Sequence, residues 1–155
     1  MAFAPKCKDL PTAIEMIWKS MVGVPLTRSG MRTPSDDEEM WVSGVVQILG
    51  EWNGAIRLDC SWNLAQAVTA RMYGIELAAV TPEVACDTVA ELANVVAGMV
   101  KPLLGSRSHH SLPTVVRGRG YDFTVPHGRS FEQCGFDCET NYFSVTILQR
   151  AKANG

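Results

Sequence analysis

Residues 41–61, WVSGVVQILGEWNGAIRLDCS, decide the fold. Val42, Val45, Val46, Ile48 and Leu49 read as a strand over 41–49. Asn53-Gly54 follows, the dipeptide favoured in tight hairpin turns because both central positions need positive φ. Beyond it, Ile56, Leu58 and Cys60 alternate with Ala55, Arg57 and Asp59, placing the two sets on opposite faces of a second strand. Trp52, beside the turn, is read as a cross-strand packing residue.

Working outward, Ser61 predicts a capped helix to Tyr73 that turns Leu64, Ala65, Val68 and Met72 inward, with Gly74 as its stop. Upstream, Ile14, Ile17, Trp18 and Met21 recur at helical spacing, with Asp9 as cap and Pro11 in the first turn. Residues 27–40 are polar and turn-rich, and their acidic run is a solvated loop. Downstream, Thr81-Pro82 opens a helix over 82–104, with Pro102 predicted to kink its last turn. A polar loop over 105–111 then leads to strands at 112–117, 121–125 and 142–150, and a weaker one near 130–136. His127 reads as a turn residue. Helices and strands that do not strictly alternate predict an α+β fold: helices on one face of a mostly antiparallel sheet, as a single domain over 1–155.

The chain's 155 residues are 46% hydrophobic, enough for a core. Its net charge of −2 argues against holding nucleic acid by charge. No apolar run is long enough to span a bilayer, and the N-terminus lacks the apolar stretch of a secretory signal. The odd cysteine count (Cys7, Cys60, Cys86, Cys134, Cys138) predicts reduced thiols and a cytoplasmic location. Cys134 and Cys138 could join His109 and His110 around zinc, though their spacing is not that of the common knuckle.

The helix over 82–104 carries the sharpest signal. At about 100° per residue, Asp87, Glu91, Asn94, Gly98 and Lys101 fall within an arc of roughly 80°. Val89, Leu92, Val95, Val96, Met99 and Val100 turn the other way. A solvated face would serve equally with Lys, Glu or Ala. Asn is a mediocre helix former, and Gly costs about 0.8–1 kcal/mol against Ala. Glu91 and Asn94, three apart, can address one target. An amide both donates and accepts, so it can orient a water.

Asp87-x3-Glu91-x2-Asn94-x3-Gly98 resembles the signature helix of the CheC/CheX/FliY chemotaxis phosphatases. AELANVVAG at 90–98 is especially similar to the CheX branch, as is SLPTVVRG at 111–118. The resemblance implies a phosphatase acting on the aspartyl-phosphate of a CheY-like response regulator. It implies catalytic roles for Glu91 and Asn94. Asn94 would orient the attacking water, and Glu91 would engage a basic side chain of the regulator. Asp87, Gly98 and Lys101 would complete a partner-binding ridge. It implies no cofactor bound by this chain, with Mg2+ supplied by the regulator, and a homodimer through the sheets. The first helix has Trp18 where a second site would need its amide, so one site per chain is expected. The alternatives are a non-catalytic module that binds a receiver domain or flagellar switch component, and a metal-binding domain using His109, His110, Cys134 and Cys138.

Overall fold

A computed structural model of the protein describes residues 10–36, 38–104 and 107–150. Its elements are α1 (Leu10–Met21), β1 (Thr27–Ser29), β2 (Trp41–Gly50), β3 (Gly54–Ser61), α2 (Trp62–Tyr73), α3 (Pro82–Leu103), β4 (Ser108–His110), β5 (Thr114–Gly118), β6 (Gly128–Cys138) and β7 (Asn141–Arg150). All the strand pairs are antiparallel. The order across the sheet is β1-β6-β7-β3-β2-β4, with β5 also paired to β2. This is the α+β architecture the sequence predicts.

Period-two alternation makes one face of this sheet apolar. Val42 pairs with Cys60, Val46 with Ile56, Phe143 with Cys60 and Val145 with Leu58, so these side chains form rows across three strands. They pack in one buried cluster with Leu10, Ile14 and Trp18 of α1, Leu64 and Val68 of α2, and Val89, Leu92 and Val96 of α3. The Trp18 and Phe143 rings lie 4.6 Å apart. Each large side chain so buried contributes about 1.5–3 kcal/mol. Gly44 of β2 fixes how closely α3 approaches: a Cβ there would stand 2.9 Å from the Ala93 Cβ.

The opposite face is buried too: Trp41 and Tyr142 pack edge to face there, ring centres 5.7 Å apart, and a polar group closes on itself beside them. Arg57 Nε donates to Asp59 Oδ2 at 2.9 Å. Ser43 donates to Asp59 Oδ1 and pairs with the Tyr121 hydroxyl at 2.6 Å. Phe123 lies under the Arg57 guanidinium, 5.6 Å from ring centre to Cζ. Burial pushes the Asp59 carboxyl above its ordinary value, against the opposing pull of Arg57 and Ser43. Burial likewise pushes the Tyr121 phenol up. Further along, Tyr142 hydroxyl accepts from Arg32 N–H at 2.8 Å and donates to the Gly30 carbonyl at 2.9 Å, tying the segment after β1 onto the sheet.

Several local expectations are corrected. The β2–β3 hairpin forms, but Asn53-Gly54 is not its positive-φ turn: Gly50 takes φ 146°, and Asn53 Oδ1 accepts from its N–H at 3.0 Å. Ser61 does not cap α2 with its side chain; its Oγ accepts from Tyr142 N–H at 3.4 Å. Gly74 does stop α2, in the left-handed region at φ 63°. Residues 121–125 are not a strand. Their alternation reflects a strap lying on the sheet, with Tyr121 and Phe123 turned toward it and their rings 5.7 Å apart. The region near 130–136 is instead a full strand, β6, irregular between Ser130 and Glu132. Strands β1 and β4 arise where only loop was expected, because each is three residues long and is defined by its partner. His127 is a turn residue, at φ 60°, and Trp52 is buried in the core. Asp9, the expected cap of α1, lies outside the described residues.

Candidate functional site

Local chemistry starts α3 where the sequence places it. Thr81 Oγ1 accepts from Val84 N–H at 3.3 Å, Pro82 takes the first helical position, and Glu83 sits in the first turn. Ala85, Val89, Leu92, Ala93, Val96, Ala97 and Val100 are buried. The small alanines on that line let the helix lie against β2. The helix continues through Pro102 to Leu103 and tightens there, with Leu104 N–H reaching the Val100 and Lys101 carbonyls, each at 3.2 Å.

The five ridge residues stay off the buried line. Asp87, Glu91 and Gly98 are exposed; Asn94 and Lys101 are half-buried. Among the described residues, neither the Glu91 carboxylate nor the Asn94 amide has a side-chain hydrogen bond or ion pair. Three residues apart, they rise from successive turns with Cβ atoms about 5–6 Å from each other. An added Cβ at Gly98 would meet nothing within 4 Å. The glycine is therefore not required by packing within the chain, and it leaves a notch in the ridge. Pro102, four residues on, has no N–H to offer the Gly98 carbonyl.

On the sheet α3 touches β2, β3, β5 and β4, and beside it α2. Lys101 Nζ lies 3.4 Å from His110 Nδ1. This contact depends on β4 pairing with β2 (Ile48 with His110) rather than on any local pattern, so no motif signals it. The ridge is thus acidic towards its start and basic at its end.

The zinc alternative does not assemble. Cys134 and Cys138 lie on β6, and His109 and His110 on β4, four strand spacings away. At about 4.8 Å per spacing that is roughly 19 Å. Among the described residues no cluster of three or more His, Cys, Asp or Glu side chains could hold a metal ion. Burial pushes the Cys134 thiol up to about 12, so it stays protonated and unreactive near neutral pH. No helix among the described residues is long and apolar enough to cross a membrane.

One antiparallel sheet backing three helices matches the fold of CheX, CheC-like and FliY proteins. The structure is similar to the chemotaxis protein CheX from Vibrio vulnificus, with TM-score 0.77 and 20% identity over 97% of this chain and 99% of that one. It is similar to a chain of the CheX–CheY–BeF3–Mg2+ complex from Borrelia burgdorferi, with TM-score 0.66 and 17% identity over 97% and 99%. FliY from Thermotoga maritima matches with TM-score 0.57 and 18% identity over 94% and 91%. No curated protein sequence matches the chain significantly. Residues 42–137 match the family described as chemotaxis phosphatase CheX, and the chain belongs to that family.

Proposed function

We propose that the protein hydrolyses the aspartyl-phosphate of a CheY-like response regulator, docking through the α3 ridge. The observation that carries this reading is the pairing of Glu91 and Asn94: adjacent on an accessible helix face, with no partner among the described residues. Family membership supports the reaction class. The Borrelia CheX–CheY complex supports the class of partner.

In the proposed mechanism α3 enters the regulator's phosphorylation site. Glu91 pairs with a basic side chain there and sets the depth and angle of entry. Asn94 Oδ1 accepts a hydrogen bond from a water and holds it in line with the phosphorus. Attack breaks the bond between phosphorus and the aspartyl oxygen, giving aspartate and inorganic phosphate. The gain comes from alignment of the reactants, so no covalent intermediate on this chain is needed. Mg2+ held by the regulator would neutralise charge on the phosphoryl oxygens. Asp87 extends the acidic end of the ridge, Gly98 admits the partner's backbone, and Lys101 marks the basic end. A cytoplasmic location and a homodimer complete the reading.

The test is release of inorganic phosphate from a phosphorylated CheY receiver with and without the protein. Acceleration by the protein is expected. Binding without acceleration would make this chain a non-catalytic receiver-binding module instead.

A further inference from the structure

We infer that His110, on β4 beside the end of α3, is a positioning residue: it holds the Lys101 ammonium on the docking ridge, ready for an anionic side chain of the receiver. The inference rests on the proposed receiver-docking role of the ridge and adds to it a residue from outside α3.

Backbone pairing brings His110 to the helix side of the sheet. Strand β4 pairs with β2, and His110 stands opposite Ile48. Residues directly opposed in an antiparallel pair share a face. Ile48 is fully buried in the cluster that also holds Val96 and Val100 of α3, so His110 faces the helices. His109 pairs with the exposed Leu49 and faces away. The next residue locks the end of the strand. Ser111 N–H donates to the Gln47 carbonyl at 2.9 Å, and Gln47 N–H donates back to Ser111 Oγ at 3.0 Å. The imidazole therefore stands on a fixed backbone.

Lys101 Nζ reaches His110 Nδ1 at 3.4 Å. An ammonium has donors only, so Nδ1 accepts and the ring carries its proton on Nε2. Among the described residues Lys101 has no carboxylate partner. An uncharged acceptor orders the ammonium without neutralising it, and two of its three N–H groups stay available. A free lysine loses much rotamer freedom when a partner fixes it, and one already held loses less. Lys101 lies two turns beyond Asn94 on the same ridge, a rise of about 10 Å. It therefore meets the receiver outside the reacting centre, and its held charge acts on docking rather than on the chemical step. The partner chemistry that fits is a carboxylate on the receiver's surface beside its phosphorylation site.

The experiment measures kcat and KM for phosphate release from a phosphorylated CheY receiver, and Kd for the same receiver held active by beryllofluoride and Mg2+. Lys101→Met keeps the apolar stem and removes the charge. It should raise KM and Kd about threefold to tenfold, with kcat unchanged. His110→Ala should raise them by a similar or smaller factor. His110→Asn, whose carbonyl oxygen takes the place of Nδ1, should restore the parent's values. In the Lys101→Met background His110→Ala should change KM and Kd no further, because the two residues act as one unit. His109→Ala, on the other side of the same strand, should behave as the parent, and all the variants should melt with it. If His110→Ala keeps the parent's KM and Kd, raises them equally with and without Lys101, or lowers kcat instead, the positioning role is overturned while the ridge proposal stands. If Lys101→Met keeps the parent's KM and Kd, Lys101 is not a docking residue and the positioning role falls with it, leaving Glu91 and Asn94 untouched. If the parent neither binds nor accelerates, the ridge proposal itself fails.

Discussion

The two sides of this sheet treat polar side chains in opposite ways. On the side away from the helices, Ser43, Arg57, Asp59 and Tyr121 are tied to one another. Asp59 is fully buried there. On the helix side, Glu91 and Asn94 stand on an accessible ridge with no partner among the described residues. A buried charge without a partner costs several kcal/mol, so the first group must be closed on itself. An exposed carboxylate and amide carry no such requirement, and their groups remain available to another molecule. The first group is expected to matter for folding and the second for activity.

Substitutions can break that division. The largest effect on stability should come from Asp59→Ala, which strands the Arg57 guanidinium and the Ser43 and Tyr121 hydroxyls. Urea unfolding should show a loss of about 3–5 kcal/mol, with activity per folded molecule little changed. A loss below about 1 kcal/mol would mean the buried group is not a structural unit. On the ridge, Glu91→Lys should weaken receiver binding about tenfold, more at low salt, with an unchanged melt. An altered melting temperature with unchanged binding would move Glu91 to the structural side. The smallest and sharpest test is Gly98→Ala. Because a Cβ there meets nothing within 4 Å, the variant should be about 0.8–1 kcal/mol more stable than the parent. Its KM for the phosphorylated receiver should nevertheless rise. A gain in stability with no change in KM would show that the notch is not used in docking.

The same contrast separates what could be read in the sequence from what could not. The α3 ridge was legible because helix periodicity and the Thr81-Pro82 start are local, fixed by residues within a few positions of one another. The β2–β3 hairpin was legible from alternation alone. Its turn was not, since the Asn53 side chain and Gly50 together replace the two-residue solution that Asn53-Gly54 suggested. Arg57 and Asp59 were assigned correctly to the face opposite Ile56 and Leu58. Their burial depends on Tyr121 and Phe123, more than sixty residues away, and sequence patterning carries no such information. Likewise β1 exists because β6 pairs with Thr27–Ser29, and β4 because β2 pairs with Ser108–His110. His110 beside Lys101 is a consequence of that second pairing.

The most direct measurement separates binding from hydrolysis at Asn94. The affinity of Asn94→Ala for a beryllofluoride-activated CheY receiver is compared with its rate of phosphate release from the phosphorylated form. The account predicts parent-like affinity with release reduced to about the receiver's own rate, a drop on the order of a hundredfold or more for loss of a water-positioning group. An Asn94→Ala protein that binds and hydrolyses like the parent would contradict it.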